Sequence, residues 1–190
     1  TRHATAGNSV AVLPFDNISG DPGQDYFSDG LSEEVRATLA RNLRLQVMAK
    51  TSSSQFREGD ADAVGIAGKL GVAYLLDGSV RRAGDKVRVV ADLIDGETGF
   101  SRWSEKFDRH IDDVFAVQSE IANAVATAMA AQVASDDAAL PGAASELAAS
   151  GGTTRVEAFD AYLRGRALYD LSADEVSERA ALGQFEAAIA

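Results

Sequence analysis

Two short connections limit how this chain can fold more than any other feature. Ala83-Gly84-Asp85 and Asp95-Gly96-Glu97-Thr98-Gly99 each separate two strand-like runs, and gaps of that length and glycine content make hairpins. The runs, residues 73–82, 87–94 and 100–109, must therefore pair antiparallel as a three-strand meander. Val87, Val89, Ala91 and Leu93 fall on alternate positions of one run, and Trp103 and Phe107 share one parity on the next. These six are expected to line the buried face of the sheet, with Trp103 in the core.

Upstream, the pattern has a different period. Residues 10–15, Val-Ala-Val-Leu-Pro-Phe, form a nearly continuous apolar run, the mark of a strand buried on both faces. A polar loop, residues 16–29, precedes a helix whose stripe is Leu31, Val35 and Leu39, continuing to Leu43. Ser28 or Asp29 can cap that helix, and Glu33 and Glu34 suit its positive end. A second strand falls on Leu45, Val47 and Ala49. A second helix is opened by Asp60 or Asp62, turns Val64, Ala67 and Leu70 inward, and stops at Gly71. A long amphipathic helix with Val114, Val117, Ile121, Val125 and Ala128 follows the meander. The fold class is α/β: a mixed sheet built as βαβα, then the antiparallel meander, then a helix. Residues 8–134 make up this domain.

Residues 135–154 change to Ala, Ser, Gly and Asp with Pro141, which reads as a flexible linker of about 25 Å mean span. Residues 155–190 then carry two helices, 156–170 and 174–190, expected as a helical repeat hairpin. No run reaches the roughly 18 apolar residues of a membrane span, and residues 1–8 lack the pattern of a signal peptide. Any such segment is expected outside the sequence in hand. With 29 acidic against 18 basic side chains and a net charge of −11, the chain repels polyphosphate, so nucleic acid is not an expected partner. Zero cysteines exclude disulfides, zinc thiolates and a Cys nucleophile.

The loop after the first strand lies where open α/β sheets bind ligands, and its Asn17, Ser19, Asp21, Asp25 and Asp29 can hold a small polar ligand or close a structural turn. It is not a calcium loop, because Ile18 and Gly23 stand where oxygen donors are needed. It is not a phosphate loop either, having no glycine-rich run with its lysine. The meander holds seven basic residues, Arg81, Arg82, Lys86, Arg88, Arg102, Lys106 and Arg109, against six acids, Asp85, Asp92, Asp95, Glu97, Glu105 and Asp108. That balance favours cross-strand pairing on a solvated face over an anion site. His3 and His110, the only histidines, stand 107 positions apart, which supports neither a metal site nor a catalytic triad. No metal, cofactor or catalytic residue is expected.

Several stretches carry a resemblance. They are residues 10–21, Val-Ala-Val-Leu-Pro-Phe-Asp-Asn-Ile-Ser-Gly-Asp, with Tyr26-Phe27-Ser28-Asp29-Gly30-Leu31-Ser32-Glu33-Glu34, Ala49-Lys50-Thr51-Ser52-Ser53, Gly78-Ser79-Val80-Arg81-Arg82, Leu93-Ile94-Asp95 and Trp103-Ser104-Glu105-Lys106-Phe107-Asp108. Together they resemble the TolB amino-terminal-like domain of bacterial signalling proteins over residues 8–133. The resemblance implies a class III cyclase, winged-helix or kinase domain upstream, frequently with a membrane span between, and tetratricopeptide repeats downstream. Proteins of this build carry the name adenylate cyclase through the upstream domain, whose paired-aspartate motif is not recognisable in this chain. Residues 158–190 are similar to the start of such a repeat. Tyr162, Gly165 and Leu168 sit on one helix and Ala181, Phe185 and Ala188 on the next, with Gly165 as the close-approach residue and Phe185 the knob. About four extra residues near Leu171-Ser172-Ala173 depart from the usual unit.

The functional expectation is a non-catalytic sensory or regulatory interaction module of a bacterial signalling protein. A structural envelope-assembly module is the alternative, and a hydrolytic or nucleotide-converting enzyme is third. Its partners would be a protein, a small polar ligand or both, with a homodimer through residues 156–190 or docking of that segment on the α/β domain. Its location is periplasmic if a membrane span precedes it and cytoplasmic otherwise. Limited proteolysis tests the division: first cleavage within residues 135–154, leaving a folded core that ends near residue 133, is the expected outcome. First cleavage in the hairpins would refute it.

Overall fold

The computed structural model describes residues 6–56, 62–136, 156–170 and 175–189. Strand β1 (Ser9–Val12) is buried along its whole length. Pro14 follows it, and β2 (Asp16–Asn17) pairs with a later strand. Helix α1 (Asp25–Ala40), the two-residue β3 (Gln46–Val47), and helices α2 (Lys50–Ser53) and α3 (Ala63–Leu70) come next. The meander is β4 (Tyr74–Ala83), β5 (Lys86–Asp95) and β6 (Ser101–His110), followed by α4 (Val114–Asp136). Helices α5 (Val156–Asp170) and α6 (Glu175–Ile189) end the described chain.

The sheet has the order β3-β1-β4-β5-β6, with β2 also on β4. Strand β1 is parallel to both of its neighbours, whereas β4, β5 and β6 are antiparallel. The mixed α/β sheet expected from the two loop lengths is therefore present, with helices on both faces. Because side chains alternate along a strand, Val10 and Val12 join the larger core, and Ala11 and Leu13 join the smaller one behind the sheet. Phe27, Leu31, Val35 and Leu39 of α1 and Val117, Ile121, Val125 and Met129 of α4 cover the first face. Ile66 and Ala67 of α3 cover the second.

Val87, Val89, Ala91, Leu93 and Phe107 are buried in the larger core. Trp103 shares their side of the sheet but is only half-buried; its ring packs tilted against Phe107 at 6.4 Å. Arg88 pairs across the strands with Asp108, and Arg102 with Asp95, so the polar face is laced by cross-strand and turn ion pairs. Asp95 also accepts from the Glu97 and Thr98 amides of the second hairpin. Although burial works against the charge, these bonds hold its carboxyl below the usual range.

Four local expectations need correction. Helix α1 begins at Asp25, because Asp21 caps a 3-10 turn (Pro22–Gln24) that runs straight into it. Ser28 and Asp29 thus lie inside the helix, and Glu33 and Glu34 stand two turns from its positive end. The helix also stops at Ala40, which leaves Leu43 99% exposed in the following turn. In α3, Ile66 takes the inward place and Val64 is 42% exposed. Asp62 is the cap, accepting from the Gly65 amide, and Gly71 ends the helix in the left-handed conformation at φ 68°. The second strand shrinks to Gln46–Val47, the residues that stand in register with Ser9 and Val10 of β1. Asp60, the 171–173 insertion and linker residues 137–154 lie outside the described residues; Ser135 and Asp136 belong to α4.

Phe107→Ala should cost roughly 3–5 kcal/mol, the usual loss for a fully buried aromatic. Trp103→Ala should cost clearly less in the same denaturant titration, since part of its ring already meets solvent. Equal losses would contradict the half-buried position of Trp103.

Candidate functional site

The expected ligand loop is bonded mainly to itself. The Asn17 side-chain amide donates to the Asp21 carbonyl at 2.8 Å and to Asp25 Oδ1 at 2.7 Å, and its oxygen accepts from the Ser19 amide. Ser19 Oγ accepts from the Arg82 amide, and Asp21 accepts from the Gly23 amide. These bonds draw Asn17, Ser19, Asp21 and Asp25 together and tie the loop to β4. Asp29, one turn further along α1, is not among these bonds and instead lines a cavity.

That cavity has a volume of about 210 Å³. Val12 and Pro14 form its base at the carboxyl end of β1, and Tyr26, Asp29, Gly30, Ser32, Glu33 and Arg36 of α1 form one wall. Lys50 and Ser53 of α2, with Ser54, form a second wall, and Leu163, Arg166 and Ala167 of α5 close it. The location follows from the topology. β1 leads into α1 on one face, and adjacent β3 leads through α2 to α3 on the other. A crevice opens outside the carboxyl ends of strands whose connections part in this way.

Helix α5 reaches the cavity because it docks on α1. Gly30 makes room: a Cβ there would stand 2.5 Å from Leu163 Cδ2. Asp160 is the polar hub of the joint. Its Oδ1 accepts from the Tyr26 hydroxyl at 2.7 Å and from Arg82 Nη1 at 3.0 Å, and its Oδ2 faces Arg164 Nε at 2.9 Å. Burial, and then the Asp160 carboxylate, push the Tyr26 phenol up, so it remains a donor at neutral pH. Arg82 also lies over the Phe27 ring and Arg164 over that of Tyr26.

A second charged cluster flanks Leu163. Arg36 grips Glu33 with two bonds of 2.8 Å, while Arg166 reaches Glu33 at 3.6 Å and Glu34 at 3.3 Å. Burial pushes the Glu34 carboxyl up, opposed by Arg166. Within the helix pair, Gly165 packs under Phe185, where a Cβ would lie 2.7 Å from the ring, and Tyr162 meets the same ring at 6.3 Å. Gly165 and Phe185 thus make the close approach expected of them. Arg36, Asp160 and Arg166 were not singled out from the sequence, and Tyr26 and Lys50 entered only as part of the resemblance. The run Tyr26-Phe27-Ser28-Asp29-Gly30 carried part of the resemblance, but nothing local to it specifies a partner 134 positions away.

Among the described residues there is no group of three or more His, Asp or Glu side chains placed to hold a metal ion, and no helix long and apolar enough to cross a membrane.

No protein-family model matches the chain. It is 39% identical over 158 residues to a protein of Rhizobium meliloti (strain 1021) named "Putative adenylate cyclase 3", an alignment that covers 83% of this chain and 26% of that protein. The chain thus spans about a quarter of the length of this relative. Among solved structures, it is similar to TolB from Acinetobacter baumannii, with a TM-score of 0.51 and 18% identity over 65% of this chain and 28% of that one. It is also similar to the LpoB C-terminal domain from Salmonella enterica, with a TM-score of 0.41 and 21% identity over 56% of this chain and 84% of that one. The likeness to TolB shows a TolB-like fold.

The contact between Gly30 and Leu163 predicts a reversal of sign. Gly30→Ala should gain about 1 kcal/mol of helix propensity but lose more to overpacking, roughly 1–3 kcal/mol, and so speed amide exchange in α5. In a Leu163→Ala background the same substitution should stabilise. Stabilisation in both backgrounds would mean that α5 does not press on Gly30.

Proposed function

We propose that this chain is a non-catalytic sensory and interaction module of a bacterial signalling protein. The observation that carries the reading is the joint built on Asp160, where one buried-side carboxylate links α5 to Tyr26 of α1 and Arg82 of β4. Hydrogen bonds to charged groups contribute roughly 1.5–3 kcal/mol each, more than exposed ion pairs do. The joint therefore holds the helix pair in one position while remaining weak enough to release. A change in the crevice below β1 would be felt by α5, which supplies part of that crevice's wall.

In this reading the helix pair opens a tetratricopeptide-like array that offers a surface to a protein partner. The α/β domain supplies the sensing element, and the location is periplasmic where a membrane span precedes it. Any cyclase chemistry belongs to the remaining three-quarters or so of a protein built like the Rhizobium meliloti relative. The internally bonded loop of Asn17, Ser19, Asp21 and Asp25 serves to fix the start of α1, and Asp29 is the member of that group that meets a ligand.

The purified chain should form no cyclic nucleotide from ATP with magnesium or manganese. Turnover abolished by a single Asp→Asn change in residues 16–29 would overturn the non-catalytic reading. The joint is tested separately by Asp160→Ala, which should speed amide exchange throughout α5 at least tenfold while β4, β5 and β6 stay protected. Unchanged exchange in α5 would remove the basis for a regulated joint.

A further inference from the structure

The cavity between β1, α1, α2 and α5 combines three properties that together restrict its occupant. Its base and roof are apolar, made by Val12, Pro14, Leu163 and Ala167. Its walls carry both signs of charge, Asp29 and Glu33 against Arg36, Lys50 and Arg166. Its volume is about 210 Å³. Drug-sized ligands fill pockets of about 300–1,000 Å³, so a molecule of amino-acid size suits the space.

The charges also select against ligands of one sign. Glu33 already holds Arg36 through two bonds and faces Arg166, and its side chain is only 13% exposed. A lone carboxylate that drew the guanidinium groups away would leave Glu33 buried without compensation, and a lone amine would do the same to the arginines. Stranding a charge in this way costs far more than a new contact returns. A ligand carrying both signs can insert between the walls and leave every charge paired.

We propose that this cavity binds a small zwitterion of the α-amino-acid class with an apolar side chain. Its carboxylate would face Arg36, Lys50 and Arg166, its ammonium group Asp29 and Glu33, and its side chain the surface of Val12, Pro14 and Leu163. Because α5 supplies the roof, the occupant ties the helix pair to the α/β domain. This inference deepens the sensory reading and rests on it for the role of the helix pair.

The test uses the whole chain, titrated with L-leucine and L-phenylalanine while the melting midpoint and amide exchange of α5 are followed. 4-Methylpentanoate and 3-methylbutylamine, which carry the leucine side chain with one charge each, are the comparators. A saturable rise of a few degrees with at least one of the two amino acids, slower exchange in α5, and binding at least tenfold weaker for both comparators is the expected result. Ala167→Phe, which fills the cavity, should abolish the response, and Asp29→Asn should weaken it at least tenfold should the bulkier variant fail to fold. No response to either amino acid, an equal response to one of the comparators, or a response retained in both variants would overturn the proposal. Exchange in the unliganded protein separates the two readings. Protected α5 without a ligand response removes the amino-acid site alone, whereas unprotected α5 removes the regulated joint.

Discussion

Strand β1 is the constraint on which the rest of the structure depends. It lies inside the sheet with parallel neighbours on both edges, and its side chains are buried on both faces. A parallel neighbour cannot be reached by a tight turn, so the chain must pass from β1 to β3 and again from β3 to β4 through long crossovers. One crossover contains α1 and the other α2 and α3. The alternation Val10, Ala11, Val12, Leu13 then divides the protein into a large core under α1 and α4 and a small one under α3. Polar substitution anywhere in this tetrad would strand an unsatisfied group on one face or the other, with no solvent-exposed side to receive it.

The same arrangement explains why the polar site lies at the end of β1. Pro14 follows the strand and cannot donate to a ladder, so pairing is interrupted there before β2 resumes it on β4, and a crevice opens. Helix α1 begins beyond that crevice and presents Tyr26, Asp29, Gly30 and Glu33 on successive turns of one side. Gly30 lowers this surface by one side chain, and Leu163 fills the depression. Apolar contact thus positions α5, and the charged groups around it have their partners arranged at fixed distances. The order of magnitude supports this division. A buried leucine contributes roughly 1.5–3 kcal/mol, comparable to a single charge-assisted bond, while the exposed pairs on the meander contribute at most about 1 kcal/mol each.

Legibility in the sequence followed the range of the interactions. The meander strands were readable to within about one residue, because Gly84 and Gly99 both adopt positive φ in the hairpin connections that enforce the pairing locally. Gly71 and Asp62 marked α3 for the same reason. The start of α1 was misread because Asp21 caps a 3-10 turn that merges with the helix, so Ser28 and Asp29, the expected caps, lie inside it. Trp103 was correctly assigned to a face but not to a depth, since parity says nothing about how far along the sheet the helices extend. The candidate site was least legible. Asp160 meets Tyr26 across 134 positions and Arg82 across 78, and neither separation leaves a periodic trace.

The energetic consequence of a shared wall does not depend on the ligand's identity. A ligand shifts an equilibrium between docked and released helices only by the difference in its affinity for the two states. In a cavity made by the α/β domain alone that difference would be near zero, and occupancy would carry no information. Here Leu163, Arg166 and Ala167 form one side, so release of α5 removes an apolar roof and one of the three cations. Loss of the roof would expose apolar ligand surface at about 25 cal/mol per Å², so each 50 Å² or so uncovered would cost about 1 kcal/mol, close to a tenfold change in affinity. Coupling of that size is typical of allosteric proteins and is reciprocal, so whatever pulls on the helix pair must also weaken binding in the crevice. For a ligand bound as proposed, one shared wall would make the helix pair both the reporter of the site and its regulator.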